Sequence, residues 1–143
     1  MPLQLQDALA FAESCPVAVL GTLSASGVPQ TAAMGIVVTP AFEIIFDTLN
    51  TTRKYPNLKS HPQCSFAMWQ GERSLQYEGL AFEPSGGELT RYQELYFAKM
   101  PGGRDRLSWP GMTYFVVRPV WLRYTDYNTR PPAVLEHRFS HAE

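Results

Sequence analysis

The sequence has little of what secreted, membrane or metal proteins need. Its 143 residues include two cysteines, Cys15 and Cys64, too few for a disulfide framework. Both stand among apolar neighbours, so we interpret them as small buried side chains and expect no metal site. No apolar run approaches the roughly 20 residues that cross a bilayer. Residues 1–14 lack the basic start of a secretory signal and carry Asp7 and Glu13. These features predict a cytoplasmic protein without a membrane partner.

Charge of either sign is not in excess. The 12 Lys and Arg residues nearly balance 13 Asp and Glu residues, which leaves a net charge of −1. Such a chain has no general field that attracts nucleic acid or anionic lipid, so we expect neither as a partner.

The composition that remains is that of a folded domain. Hydrophobic residues make up 45% of the chain and aromatic residues 13%, whereas disordered chains have few apolar residues and high net charge. The length fits one domain over residues 1–143. A chain of this size can bury a core without disulfides or a metal ion.

Hydrophobic periodicity predicts a mainly β fold with short flanking helices. An N-terminal helix is expected within residues 1–14 and another helix over 88–99. Six strands are expected over 17–23, 29–38, 43–48, 63–70, 74–83 and 112–124. Pro119 interrupts the last strand, which indicates an edge, a bulge or a corner. Turns about every ten residues favour an antiparallel barrel. Residues 129–143, with Pro131 and Pro132, are expected to form a loosely ordered tail.

The most informative segment follows the third predicted strand. Thr48 ends that strand, and a short loop then presents Thr51, Thr52, Arg53 and Lys54 at the start of a predicted helix. Thr51 or Thr52 can cap this helix. Helix N-termini bind phosphate, and the two cations add charge. The alternative is a solvated Arg-Lys pair, although two cations at a helix N-terminus oppose its dipole unless an anion offsets them.

Several segments in fixed order carry a resemblance that covers residues 5–128. They are Val-Ala-Val-Leu-Gly-Thr-Leu (17–23), Ser-Gly-Val-Pro (26–29), Ile-Ile-Phe-Asp-Thr (44–48), Thr-Thr-Arg-Lys (51–54), Asn-Leu (57–58), His-Pro (61–62), Leu-Gln-Tyr-Glu-Gly (75–79) and the final strand region 109–124. In this order they resemble the pyridoxamine 5′-phosphate oxidase-like FMN-binding split barrels. The resemblance implies a six-stranded antiparallel split barrel and a homodimer with two FMN sites in clefts between the subunits.

The resemblance also assigns FMN-binding positions. They are Met34, Gly35, Ile36, Thr48, Thr52, Arg53, Lys54, Gln76 and Trp109. The stretch 52–54 corresponds to the phosphate grip, and 34–36 lines the flavin ring mainly with backbone. Gln76, on the same strand face as Ser74, corresponds to a polar residue near the flavin. Trp109 corresponds to an aromatic residue from the partner subunit; its alternative role is packing before the Pro-Gly turn.

The chain departs from the vitamin B6 oxidases on the substrate side. Tyr96 matches a tyrosine that holds substrate phosphate there, but Met100, with Lys99 beside it, stands where those oxidases have arginine. The segment 136–139 only superficially resembles their C-terminal Arg-x-His segment. A basic residue often present on the second strand is replaced by Thr31-Ala32-Ala33. The chain is therefore more similar to short family members, and we do not expect it to oxidise pyridoxamine phosphate.

The leading hypothesis is an FMN-dependent oxidoreductase acting on a small-molecule substrate or electron donor. The sequence identifies neither that molecule nor a catalytic residue. The alternatives are a non-catalytic protein that binds flavin or another phosphorylated ligand, and a split barrel that binds deazaflavin or haem. His137 and His141, four residues apart, would need a third partner to bind a metal, and His61 can bond the carbonyls of a helix end.

Overall fold

The computed structural model describes residues 2–140, which contain three α-helices and eight strands. The helices are α1 (Leu5–Glu13), α2 (Lys54–Ser60) and α3 (Gly86–Lys99), and a 3-10 turn spans Arg104–Ser108. The strands are β1 (Val17–Leu23), β2 (Pro29–Gly35), β3 (Val37–Val38), β4 (Ile44–Leu49), β5 (Gln63–Gln70), β6 (Arg73–Phe82), β7 (Met112–Asp126) and β8 (Ala133–Arg138). None of the helices within residues 2–140 has the length and apolarity needed to cross a membrane.

All eight strands described in residues 2–140 belong to one curled antiparallel sheet. Its order is β2-β1-β5-β6-β7-β4-β3, and β8 is added alongside β7. β2 and β3 lie at opposite ends of this order, yet only Ile36 separates them in the chain. One bent strand therefore runs from one end of the sheet to the other, where the sequence predicts a single strand over 29–38. Counted once, it gives six barrel strands, and the predicted mainly β class is confirmed.

Strand alternation and aromatic side chains build the barrel core. β5 shows the pattern clearly, because its alternate side chains are buried and exposed over most of its length. The ring of Phe46 stacks on that of Phe115 at 5.7 Å between centroids and meets Phe66 at 6.2 Å. Phe11 of α1 lies 5.2 Å from Tyr124, so this helix closes part of the barrel. Burial of one such side chain contributes about 1.5–3 kcal/mol.

A β-bulge lies where Pro119 interrupts the last long strand. Glu78 pairs with Trp121 and Gly79 pairs with Pro119, so the β6–β7 register skips Val120. The bulge brings the backbones together: a Cβ atom on Gly79 would lie 2.5 Å from the carbonyl oxygen of Arg118. Of the three interpretations that Pro119 permits, the structure shows the bulge, and this bulge requires glycine at position 79.

The expectation of a loosely ordered tail over 129–143 is wrong for its central part. Residues Ala133–Arg138 form β8, which pairs with β7 from Asp126 to Trp121. Leu135 and Phe139 pack against the barrel core, and Phe139 meets the ring of Phe42 at 5.4 Å between centroids. Their spacing alternates as in a half-buried strand, and the burial of these two side chains orders the segment after the prolines. His141 lies outside the described residues.

Both cysteines are free and buried, as the sequence predicts. Burial raises the pKa of the Cys64 thiol from 9.0 to about 12. The protonated thiol therefore contributes stability fully below pH 9, and this contribution is lost as the pH rises to about 12, because the unfolded chain ionises first.

We expect the Cys64→Ala variant to lose less stability than the wild type between about pH 8 and pH 10.5. The difference should be about 1–2 kcal/mol, since one pKa unit corresponds to 1.36 kcal/mol. Urea denaturation of both proteins at the two pH values measures it. Equal losses in the two proteins would contradict a buried neutral thiol at this position.

Candidate anion and cofactor site

Three of the predicted cofactor residues form a hydrogen-bonded chain at the end of β4. Lys54 Nζ donates to Thr48 Oγ1 at 3.4 Å, and the hydroxyl oxygens of Thr48 and Thr52 lie 2.9 Å apart. Thr52 Oγ1 in turn donates to the carbonyl oxygen of Leu49 at 3.0 Å. Thr48 is buried and Lys54 is half-buried. These hydrogen bonds hold the Lys54 ammonium group beside the end of β4.

The prediction that Thr51 or Thr52 caps α2 is wrong. The N-cap residue is Arg53, which makes no side-chain capping bond. The turn after β4 is tight enough for the Thr52 hydroxyl to reach back to a strand carbonyl, so it is not available to the helix. α2 has only seven residues. The charges of the Arg53 and Lys54 side chains therefore dominate the electrostatics here.

Arg53 and Lys54 have no carboxylate partner in the part of the chain that the structure describes. The ion pairs found there use Lys59, Arg104, Arg106 and Arg123 instead. Burial lowers the pKa of the Lys54 ammonium, because desolvation disfavours its charged form. A bound anion would offset this cost.

The two cations line a small pocket of about 110 Å³. Its other polar lining residues are Thr22, Gln30 and Thr31 of the β1–β2 hairpin. This volume suits a phosphate group rather than a whole nucleotide, since pockets for larger ligands occupy roughly 300–1,000 Å³. None of the described residues that line this pocket is acidic. The pocket therefore has a charge and a size that suit an anion.

Larger spaces along the outer face of the sheet adjoin the pocket. A groove of about 600 Å³ shares Thr22, Gln30 and Thr31 with it. A second groove of about 350 Å³ also reaches Thr31 and is lined by Gln76. The structure thus connects the Arg53–Lys54 pair to Gln76 through the side of Thr31. Small residues such as Gly21 and Ser65 line both grooves and leave this face flat.

Residues 34–36 take two different roles. Met34 and Ile36 are buried in the barrel core. The Ile36 N–H donates to the Pro16 carbonyl at 3.0 Å, so the alternation of an antiparallel strand turns the N–H and C=O of Gly35 away from β1. A Cβ atom on Gly35 would lie 3.1 Å from Met100 Cε. The groups available at this point are therefore the backbone of Gly35 and the terminal methyl group of Met100. The predicted contact between this backbone and the flavin ring stays a prediction.

Trp109 ends the 3-10 turn and is 50% exposed. An aromatic residue offered to a partner subunit must be exposed in the single chain, and a residue that packs before the turn need not be. The exposure is compatible with the first of these roles, which stays a prediction.

Tyr96 is buried and its hydroxyl is already engaged. It donates to Asp47 Oδ1 at 3.1 Å and accepts from the Arg106 guanidinium at 3.1 Å, while Arg106 Nε donates to Asp47 Oδ2 at 3.0 Å. Burial, followed by the nearby Asp47 charge, raises the pKa of Tyr96. The Tyr96 hydroxyl is therefore part of a network between β4, α3 and the 3-10 turn. Sequence reasoning missed this network, because Asp47 is 49 and 59 positions away from its two partners in the chain.

The described histidines do not line the anion pocket or the two grooves. His61 ends α2, where its backbone N–H bonds the Asn57 carbonyl at 2.8 Å. His137 lies on β8 against the ring of Phe139. Within residues 2–140, no three His, Cys, Asp or Glu side chains form a group that could hold a metal ion.

Sequence reasoning missed Thr22, Gln30 and Asn57. Thr22 and Gln30 face each other across the β1–β2 hairpin, and the turn at 24–27 contains enough information to predict that pairing. Asn57 is four residues after Arg53, one turn along α2. Its side chain reaches both hairpin residues, a contact that only the docking of the helix on the barrel creates.

Comparison with solved structures shows the same fold in several proteins. A heme binding protein from Mycobacterium smegmatis superposes with a TM-score of 0.83 at 18% identity, over 96% of this chain and 59% of that one. The heme storage protein HutZ from Vibrio cholerae gives 0.71 at 18% identity, over 83% and 91%. A pyridoxamine 5′-phosphate oxidase-related, FMN binding protein from Nostoc punctiforme gives 0.69 at 12% identity, over 97% and 98%.

No curated protein matches this sequence. The chain spans about three-fifths of the length of the mycobacterial protein. At such identities the structural likeness establishes the fold alone. The family model for pyridoxamine 5′-phosphate oxidase, however, matches residues 5–126, which is most of the sequence. The chain therefore belongs to the pyridoxamine 5′-phosphate oxidase family.

Proposed function

We propose that this chain is an FMN-binding flavoprotein that acts as an oxidoreductase on a small-molecule substrate or electron donor. One observation carries the proposal: two cations that have no carboxylate partner among residues 2–140 line a phosphate-sized pocket, and a groove of about 600 Å³ adjoins this pocket. A phosphate joined to a flat ring system matches that combination. The FMN-binding relative from Nostoc punctiforme supports the same ligand.

In this proposal the Arg53 and Lys54 side chains hold the phosphate, and Gln76 provides a polar contact for the ring. Thr52, whose hydroxyl already donates to the Leu49 carbonyl, supports Lys54 through Thr48. When bound, FMN supplies hydride or electron transfer, and the protein contributes binding, orientation and electrostatics. The guanidinium of Arg53 can donate two parallel hydrogen bonds to phosphate oxygens, whereas Lys54 acts as a point charge. No described side chain is assigned as a catalytic acid or base.

The substrate we propose is not pyridoxamine 5′-phosphate. The Tyr96 hydroxyl is occupied by Asp47 and Arg106, so it has no free donor for a substrate phosphate. Met100, whose side chain packs close to Gly35, provides no charge. An uncharged or differently charged small molecule suits this side of the site better.

The absorbance spectrum of the purified protein, followed by titration with FMN, tests the proposal. Flavin bands in the spectrum, or saturation at about one FMN per chain, would support it. NADH or NADPH oxidation by the FMN-loaded protein would then separate an oxidoreductase from a non-catalytic flavin binder. A protein that neither carries nor binds FMN would refute the proposal, and a deazaflavin titration tests the related cofactor.

Haem is the second candidate because two structural neighbours are named for it. Haem iron is held by His, Met, Tyr or a Cys thiolate. The large groove is lined by Cys64, whose raised pKa keeps it a thiol, and by none of the described histidines. The donor set therefore favours FMN. A Soret band in the purified protein would reverse this order.

We also propose a homodimer in which the outer sheet face is covered by a second copy. Val17 is 56% exposed, Trp69 64% and Leu80 41%, and they lie on the neighbouring strands β1, β5 and β6. Val17 and Trp69 lie toward one end of this face, and Leu80, which pairs with Gln63, lies toward the other end. Several large exposed apolar side chains on one face are typical of an interaction surface. The grooves lie on the same face, so a partner there would close an otherwise open cofactor site.

The Leu80→Glu variant is expected to weaken this dimer at least tenfold, because it places a carboxylate beside Glu78 on the covered face. Light scattering over a concentration series measures the dissociation constant. Leu95→Glu is the matched control, since Leu95 is 38% exposed on α3 and is expected to leave the dimer intact. A wild-type protein that stays monomeric at micromolar concentration would contradict the shared-site arrangement.

A further inference from the structure

A buried asparagine joins α2 to the hairpin that lines the anion pocket. Asn57 Nδ2 donates to Thr22 Oγ1 at 3.0 Å and to Gln30 Oε1 at 2.9 Å. Asn57 is 6% exposed, as is Thr22. Asn57 follows Arg53 by one helical turn, and the Asn57 N–H donates to the Arg53 carbonyl at 3.3 Å. The side chain therefore fixes the cation-bearing end of α2 against β1 and β2.

These two bonds also decide which atoms the hairpin presents to the pocket. Asn57 uses the acceptor oxygen of Gln30, so the Gln30 Nε2 group keeps its two hydrogens for another partner. Asn57 Nδ2 likewise donates to Thr22 Oγ1, which leaves the Thr22 hydroxyl hydrogen free to donate. Both residues line the pocket that holds Arg53 and Lys54. The polar groups around the pocket thus act as donors.

We infer that Gln30 is a phosphate ligand of this protein and that Asn57 is the positioning residue that orients its amide toward the anion. Asn57 orients the Thr22 hydroxyl in the same way, as a second hydrogen-bond donor to the phosphate. The ligand class is a phosphate group, whether free or part of a monoester such as FMN. The inference rests on the proposed function only where the phosphate belongs to FMN, because the donor arrangement acts on the anion itself.

A pocket of donors distinguishes phosphate from other groups. A phosphate offers acceptor oxygens to the cations and to the neutral donors together, whereas Arg53 and Lys54 would repel an ammonium group. The neutral donors add hydrogen bonds without adding charge.

The experiment compares Gln30→Met with wild type, using inorganic phosphate, FMN and riboflavin as probes in calorimetric titrations. Gln30→Met keeps the side-chain length and removes both donors. We expect the affinities for phosphate and FMN to fall about tenfold, as for a lost hydrogen bond to a charged group. Riboflavin affinity should fall clearly less, since Gln30 lines the adjoining groove as well but loses no bond to a charged group there. Gln93→Met is the matched control, because Gln93 lies on α3 and lines neither the pocket nor the two grooves, so it should leave phosphate and FMN affinity unchanged.

A double-mutant cycle tests the positioning role of Asn57. Asn57→Leu should lower phosphate affinity in the wild type, and it should cost clearly less in the Gln30→Met background, since it acts in part through Gln30. A merely structural role would lower the affinity equally in both backgrounds and would overturn the assignment of Asn57.

The remaining outcomes separate this inference from the proposed function. Equal phosphate affinity in wild type and Gln30→Met, or no phosphate binding to wild type, would overturn the inference. FMN and riboflavin that bind equally tightly would also overturn it and leave flavin binding intact. Gln30-dependent phosphate binding without FMN binding would support the inference and refute the proposed cofactor.

Discussion

Replacement of both Arg53 and Lys54 by alanine is expected to weaken FMN binding by about 100-fold or more. A hydrogen bond to a charged group contributes about 1.5–3 kcal/mol, and two such groups correspond to about 10²–10⁴ in affinity. Both side chains line the anion pocket and neither has a carboxylate partner among the described residues. Fluorescence titration with FMN and riboflavin measures the effect, and riboflavin affinity should change little.

The matched control removes the same amount of charge elsewhere. Lys59→Ala combined with Arg104→Ala deletes two exposed cations that pair with Glu83 and Glu94. Surface pairs of this kind contribute little to stability, so the control should bind FMN nearly as well as the wild type. A control that loses as much affinity would show that net charge, rather than the pocket, holds the phosphate. Unchanged FMN affinity in the variant with Arg53→Ala and Lys54→Ala would show that these two side chains do not hold the phosphate.

The Gly79→Ala variant is expected to lose about 3 kcal/mol of folding free energy, with a fall in Tm of roughly 10 °C. The added Cβ would lie 2.5 Å from both the Arg118 carbonyl oxygen and Val117 Cγ1. Neither atom can move cheaply, because both belong to β7, which pairs with three other strands. Urea denaturation without added ligand measures the change.

Gly87→Ala is the matched control, since here the change from glycine to alanine is expected to raise the folding stability or leave it unchanged. No atom lies within 4 Å of its Cβ position, and it is in the first turn of α3, where alanine is favoured over glycine by up to about 1 kcal/mol. This variant should be as stable as the wild type or slightly more stable. A Gly79→Ala protein of wild-type stability would mean that the bulge rearranges without cost. Gly79 also lines the large groove, so FMN affinity of the folded variant reports whether the bulge shapes the site.

The hydrogen bonds of Tyr96 support our proposal that the substrate is not pyridoxamine 5′-phosphate. A tyrosine can bind a substrate phosphate only when its hydroxyl hydrogen is not already donated. Here Asp47 accepts that hydrogen and Arg106 donates to the same oxygen. The tyrosine is present at the matching position, but its bonds to Asp47 and Arg106 make it part of the network that joins β4 to α3.

The sequence alone was sufficient for the six barrel strands and for the positions of the cations. The strands followed from alternation of apolar side chains, and the Arg53–Lys54 pair from its place after a strand, whereas Pro119 left an edge, a bulge and a corner open. These are properties of neighbours in the chain, where spacing determines which side chains share a face. β8 was missed, although Leu135 and Phe139 have the spacing of inward-facing residues on a strand, because Pro131 and Pro132 before it are typical of a loosely ordered tail.

The tertiary structure decided what each candidate residue is able to do. Thr52 bonds a strand carbonyl instead of capping α2, Tyr96 is engaged by residues 49 and 10 positions away, and Asn57 reaches across to Gln30. Each outcome depends on which donor and acceptor meet when distant elements dock. Sequence spacing carries no record of that encounter, because a hydrogen bond is satisfied by a partner in space, whatever its position along the chain.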